Sequence, residues 1–325
     1  MDVLSNVLKV TNLTAVPLGS REFLAPWGLR IDELDKPMIL LVRRGSMWLR
    51  SRGAEPVRLK AGDLVLLSSG TGQVLSSGRD TAELEHYTQA IARSHNRVVP
   101  SLHGKPDPSA ESTVLLGVTY EFSQEGFGEN DRAGLLPEII RLSAAQSNED
   151  SELQPLLQLL TQEASRRDIG FELVQPRLLD ALLIYVLRAW LRDQPEGSAG
   201  WLGALRDPQI RRALTLIHAS PEAPWTVESL AQQAAMSRAA FAKRFADLVG
   251  EPPLAYVTRW RMDLAAKFLR ESREPVARIA GKVGYLSETA FAKAFRRRRK
   301  MPPGAYRYQR SGRVGSGSAK VRPNL

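Results

Sequence analysis

The chain of 325 residues contains no cysteine. That excludes disulfides, iron–sulfur ligation and thiol nucleophiles, and it fits a reducing cytoplasm. No apolar run approaches the ~18 residues needed to cross a bilayer. The first thirty residues lack a basic start followed by an apolar block, so no secretory signal shows. A cytoplasmic protein without a membrane partner is the expectation. Histidine is also scarce, with His86, His95, His103 and His218 the only four. Three of these fall in one stretch, but spacings of nine and eight fit neither a helical i, i+4 pair nor a strand i, i+2 pair. No metal and no cofactor are therefore expected.

What is present is a globular composition, 43% hydrophobic and 25% charged, in a chain long enough for two or three domains. The net charge of +10 is unevenly spread. Residues 201–325 hold 24 Lys and Arg against 9 Asp and Glu, whereas the first 200 residues hold 21 against 26. An acidic front joined to a strongly basic rear points to a polyanion partner for the rear alone.

The basic rear carries two helix-turn-helix patterns. In the first, Val227, Leu230 and Ala231 share one helical face. Ala234, Ala235 and Met236 make a short turn, and Ser237 is placed to cap a second helix whose inner face is Phe241, Phe245 and Leu248. In the second, Ile279, Ala280 and Val283 pack and Gly284 suits a turn that needs positive φ. Ser287 then caps a helix with Phe291 and Phe295 inward. The S-x-x-x-F-x-x-x-F pattern thus recurs after fifty residues. Between the units, residues 254–272 present Val257, Trp260, Leu264, Ala265, Phe268 and Leu269 as a nearly continuous apolar face. A rod of that length spans ~27 Å, close to the ~34 Å that separates successive major-groove faces.

Residues 207–309 resemble the DNA-binding domain of the AraC/XylS family of bacterial transcription regulators. The resemblance rests on Ala235-Met236-Ser237, Arg244-Phe245, Gly250, Pro253, Tyr256, Arg261, Ala265, Leu269, Val283-Gly284-Tyr285, Pro303 and Tyr306-Arg307. Lys300 stands where that family usually has Gly, and Pro252 and Pro302 where it has Ser. The solvent-facing positions nearest each recognition-helix start are the expected base readers. They are Arg238, Ala239, Ala242 and Lys243 in the first unit, and Glu288, Thr289, Ala292 and Lys293 in the second. Lys243 and Lys293 can donate to guanine. Arg244, Arg296, Arg297 and Arg298 are assigned to phosphates, with Ser237 and Ser287 capping helix ends whose amides approach phosphate.

The front half reads differently. Residues 1–37 are mixed, with short strands expected near Leu8–Leu13 and Trp27–Leu34. Short apolar runs at Met38–Val42, Met47–Leu49, Val57–Leu59 and Leu64–Leu67 are punctuated by Gly45, Gly53, Gly62 and Gly70, which argues for an antiparallel sandwich or barrel. Val114–Tyr120 and Ile139–Leu142 supply further strands, and residues 121–131 read as a loop. From Gly45 to Leu67 the text G-x-x-x-L-x-x-x-x-x-x-P-V-x-L-x-x-G-D-L-V-L-L is similar to the cupin-type sensor domains that precede many AraC-family DNA-binding domains. Catalytic cupins carry an H-x-H pair; none exists here, and Gln73 stands near where the family often has His. The resemblance implies a binding cup for a small-molecule effector, with Trp27, Met38, Trp48, Gln73 and Tyr87 as candidate lining residues.

Two helices follow. Residues 152–167 place Leu153, Leu156, Leu157, Leu160 and Ala164 on one face, and residues 176–192 carry two adjacent rows, Leu178-Leu182-Val186-Trp190 and Leu179-Leu183-Leu187-Leu191. Those rows pack inside the domain or form a homodimer interface. Residues 193–203 mark a linker, and the tail after Gln309 has too little apolar content to fold. The expected class is α+β, a cupin-like barrel with helices (1–145), a helical segment (146–200), an all-α DNA-binding domain (201–309) and a disordered basic tail (310–325). The function expected is an effector-controlled, DNA-binding transcription regulator. Activation, with RNA polymerase as a further partner, is the mode the resemblance implies. The rivals are a metal-dependent cupin enzyme tethered to DNA and a dimeric DNA-binding protein without a ligand.

Overall fold

The computed structural model describes residues 2–11, 13–34, 36–68, 70–81, 84–87, 90, 98–99, 111–121, 136–166, 168–195 and 200–314. The chain divides into two compact units, one formed by residues 13–123 and 129–195, the other by residues 1–12, 124–128 and 196–325.

The front unit is built on two sheets. Its strands are β1 (Thr14–Leu24), β2 (Gly28–Leu34), β3 (Met38–Arg44), β4 (Ser46–Ser51), β5 (Val57–Lys60), β6 (Leu64–Leu67), β7 (Gly70–Ser76), β8 (Glu85–His86), β9 (Val98–Val99), β10 (Ser112–Glu121) and β11 (Ile139–Leu142). One sheet runs β11-β6-β3-β10-β1-β9 and the other β5-β4-β7-β2-β8. Pairing is antiparallel except where β9 joins β1 and β8 joins β2. Side-chain alternation then sets the core. Phe23, Met38, Leu40, Val42, Val65 and Leu67 from the first sheet meet Leu29, Met47, Leu49, Leu59 and Leu75 from the second, and Trp27 just before β2, in one buried cluster.

The opposite face of the six-stranded sheet is also apolar, with Ile39, Leu41, Leu64, Leu66, Tyr120 and Ile140 buried. Helices α2 (Ala144–Glu149), α3 (Leu153–Arg166) and α4 (Phe171–Asp193) follow β11, and α4 packs on β1 and β11. The Tyr120 hydroxyl donates to the Leu179 carbonyl at 2.8 Å and the Ala15 amide to the Asp180 carboxylate at 3.1 Å. Both apolar rows of α4 are largely consumed here, since Leu179, Leu182, Leu183, Val186 and Leu187 are all buried. The helix starts five residues before Pro176, which lies inside it. Pro176 suggests a helix start because proline suits the first turn, but here the chain tolerates the missing N–H one turn further in.

The rear unit is helical. It comprises α1 (Val3–Thr11), α5 (Trp201–Ala204), α6 (Pro208–Ala219), α7 (Val227–Gln233), α8 (Arg238–Val249), α9 (Pro253–Glu271), α10 (Val276–Lys282), α11 (Glu288–Arg299) and α12 (Pro303–Val314). The expected strand at Leu8–Leu13 is thus a helix instead. Val3, Val7 and Val10 recur at spacings of four and three and bury one face, which packs on α6 and α9. The first twelve residues accordingly belong with the rear unit and not with the front barrel. The tail departs from expectation too: residues 310–314 continue α12, and the rest of it lies outside the described residues, as does the loop expected over residues 121–131 apart from Glu121, which ends β10.

The core of the first helix-turn-helix unit contains a buried aromatic–imidazole stack. His218 lies 3.8 Å from Trp260, ring centroid to centroid, with 17° between the planes. Tyr256 accepts from Trp201 Nε1 at 3.3 Å and sits 2.7 Å from His218 Nε2. A tyrosine donating to Nε2 leaves the imidazole proton on Nδ1, and burial, with Arg259 nearby, lowers the His218 pKa to about 3. At the far end of α11, Lys300 closes the helix in the left-handed region at φ 60°. It makes the turn that glycine would make with less strain.

Two outcomes follow from these sites. The unfolded chain binds a proton at His218 below its ordinary pKa of 6.5, while the folded chain does so only near 3. The stability present above pH 6.5 is therefore lost as pH falls, by about 2 kcal/mol at pH 5. His218→Phe should flatten the pH dependence of the unfolding midpoint between pH 7 and 5; an unchanged slope would contradict the assignment. Lys300→Gly should raise stability by about 1 kcal/mol in denaturant titration.

Candidate nucleic-acid interface

Each recognition helix is fixed by the same two devices. Ser237 Oγ accepts from the Ala240 amide at 3.3 Å and Ser287 Oγ from the Ala290 amide at 3.4 Å, capping α8 and α11. Behind the caps, Phe241 and Phe245 are fully buried with centroids 5.6 Å apart, and Phe291 and Phe295 repeat this at 5.6 Å. A helix whose phenylalanine stripe faces inward must turn the intervening positions outward. Arg238, Ala239 and Lys243, and likewise Glu288, Thr289 and Lys293, are exposed, while Ala242 and Ala292 are partly covered.

The second helix faces a basic concavity of about 670 Å³ lined by Thr289, Ala292, Lys293, Arg296, Arg297, Lys300 and Pro302. Three of its expected base readers thus share one surface with two expected phosphate binders. Arg298 lies around the helix, with Arg297, on a cleft of about 360 Å³ shared with Glu251, Thr258 and Arg259 of the long helix and its approach. In the first helix the equivalent charge is partly engaged. Lys243 Nζ donates to Asp247 at 2.8 Å, and that bond and the Asp247 charge raise its pKa.

Arg244, expected on phosphate, is held in an ion pair. Its Nε and Nη2 meet Asp207 Oδ2 at 2.6 and 2.5 Å. The other oxygen of Asp207 caps α6 by accepting from the Gln209 and Ile210 amides at 3.0 and 2.9 Å. The Asp207 side chain is almost wholly buried while that of Arg244 is about half exposed, so the pair ties α8 to α6. Arg299, the last of the arginine run, is withdrawn, donating to buried Asp263 at 2.5 Å. A run of four arginines gives no sign of which one turns inward; only the helical phase relative to Phe295 could have found it.

The barrel candidates separate by strand parity. Trp27, Met38 and Gln73 are buried between the sheets, and Ser51 Oγ donates to Gln73 Oε1. Trp27 Nε1 is buried without a hydrogen-bond partner among the described residues. Tyr87 is packed partly against the same cluster, and burial raises its pKa against an opposing effect of Arg21. Trp48 corrects the expectation: it alternates with buried Met47 and Leu49, so it faces away from the interior, where Arg79 stacks 5.8 Å from its ring. His95 and His103 lie outside the described residues, and among the described residues no three His, Asp or Glu side chains gather into a potential metal site.

Two families match this architecture, a Cupin family over residues 2–192 and a Helix-turn-helix domain over residues 230–309. A putative AraC-like transcription regulator of Streptomyces lividans is 34% identical over 308 residues, covering 94% of this chain and 98% of that protein. The HTH-type transcriptional regulator AlkR of Acinetobacter baylyi is 41% identical over 175 residues, which is 54% of this chain and 57% of that protein. The solved DNA-binding domain of AdpA, in complex with a target DNA, is 33% identical and covers 34% of this chain and 98% of that one, with a TM-score of 0.32. With a relative aligned along nearly its whole length and both family patterns in place, the chain belongs to the AraC-like transcription regulators and carries a cupin front domain.

Proposed function

We propose that the rear unit reads double-stranded DNA in two adjacent major-groove segments and that a small molecule held in the front barrel controls this reading. The observation that carries the proposal is the duplicated recognition helix. Two capped helices, each with a buried phenylalanine pair and an exposed polar face, flank a single 19-residue helix, α9. That helix is ~28 Å long, which suits successive grooves. Family membership supports the same reading.

Lys293 is the foremost base reader, because it is exposed in the concavity. Lys243 must first leave Asp247. Arg296, Arg297 and Arg298 supply charge to phosphates, and Arg244 is dropped from that role. On the sensor side, the buried Trp27 Nε1, unpartnered among the described residues, and the buried Gln73 side chain support a ligand with hydrogen-bonding groups inside an otherwise apolar cup. A binding role and not a catalytic one accords with relatives that bear regulators' names. Exposed Leu159, Ile169, Leu173 and Val174, on α3, α4 and the turn between them, support a homodimer through that end of the hairpin. No described helix is long and apolar enough to cross a membrane. Effector control then acts by population shift between states of different operator affinity.

The test uses duplexes selected by the protein from random-sequence DNA. Lys293→Ala should cost ~1–3 kcal/mol at the cognate base pair and relax preference in one segment only. Equal loss on every sequence would remove it from base reading. Arg296→Ala should instead weaken all duplexes alike and reduce the salt slope by about one unit; a loss confined to certain sequences would reverse the sorting of the two residues.

A further inference from the structure

The two helix-turn-helix units are joined by more than α9. Arg261, from the middle of that helix, donates through Nε to the Pro221 carbonyl and through Nη2 to the Ala223 carbonyl, both at 2.7 Å. Those carbonyls lie in the loop between α6 and α7, in the first unit. The loop is itself stiff, because the Trp225 amide donates to the Ala223 carbonyl at 2.7 Å and its indole to the Ser220 carbonyl at 2.8 Å. The same guanidinium lies 5.9 Å from the ring of Tyr285, in the turn of the second unit.

Gly284 closes the junction. A Cβ there would fall 2.8 Å from both Arg261 Nη2 and the Glu222 carbonyl oxygen, and 2.9 Å from Arg261 Cζ. The residue also sits at φ +79°, where a side chain is strained. The turn of the second unit is therefore pressed onto the loop of the first with the guanidinium filling the seam. Each unit has its own core, that of the second being Ile279, Ala280, Val283, Phe291 and Phe295 against α9, and Arg261 belongs to neither. Its contacts link the units.

We infer that Arg261 is the positioning residue that fixes the distance and phase between the two recognition helices, and so sets the spacing of the two DNA segments the protein accepts. This rests on the two-segment reading above. One inserted base pair moves the second segment by about 3.4 Å and turns it by about 34°. Charge-assisted bonds 2.7 Å long to two carbonyls, across a seam with no room for a methyl group, do not stretch that far.

The experiment measures full-length protein on a duplex selected from random-sequence DNA and on the same duplex with one base pair inserted or deleted between its segments. Wild type should lose affinity on the order of tenfold at either altered spacing. Arg261→Met, which keeps the aliphatic stem, should lose less than about threefold between spacings while retaining the wild-type base preferences within each segment. Gly284→Ala, which keeps the Arg261 side chain but drives a methyl group into its guanidinium and the Glu222 carbonyl, should also flatten or displace the spacing optimum. Should Arg261→Met unfold, Arg261→Lys carries the test, because one ammonium cannot bridge two carbonyls and stack as well. Folded variants that keep the wild-type spacing ratio, with or without weaker overall binding, would overturn the inference. A wild-type protein indifferent to spacing would instead overturn the two-segment reading beneath it.

Discussion

Much of the rear unit depends on two buried carboxylates. Residues 201–325 carry far more basic than acidic side chains, and like charge opposes compaction. Two of the few acids are spent inside. Asp207 caps α6 and takes Arg244 from the first recognition helix; Asp263, in the middle of α9, takes Arg299 from the second. Each pair pins a recognition helix through one of its own arginines. Removing Asp263 would strand the buried Arg299 guanidinium, a change that typically costs several kcal/mol, whereas the half-exposed Arg244 could turn to water if Asp207 were removed. The interior neutralisation lets Lys293, Arg296, Arg297 and Arg298 remain outside as cations.

The front unit solves a different problem, that of burying both faces of one sheet. The six-stranded sheet presents one apolar face to its partner sheet and the other to α4, which explains why β3 and β6 read as continuous apolar runs and not as alternating ones. The five-stranded sheet has one covered face, and parity there sends Met47 and Leu49 inward and Trp48 outward. A tryptophan in a strand is easily taken for core. Its neighbours decide, and here they place it under Arg79.

What was legible in the sequence was whatever had a period or a cap. Ser237 and Ser287, the phenylalanine pairs and the apolar stripe of α9 imply their elements and faces directly, because helical phase ties each residue to the next. The strands from β3 to β6 were legible as short apolar runs set off by Gly45, Gly53 and Gly62. Less legible were contacts made at long separation by single polar side chains. The pairing of Arg244 with Asp207, of Arg299 with Asp263, and of Arg261 with two loop carbonyls leaves no periodic trace. Helix α1 carries its phase in Val3, Val7 and Val10, and the strand expected at Leu8–Leu13 took in only the end of that stretch. The α4 start was displaced because Pro176 is a first-turn signal that this helix carries in its second turn.

The central claim is that both helix-turn-helix units read bases at once. Selection of genomic DNA fragments by the full-length protein tests it most directly. The account predicts fragments that share two short motifs about one helical turn apart, with both motifs blurred when Lys243 and Lys293 are replaced together by alanine. Fragments recovered without any shared motif, or with one motif alone, would contradict it.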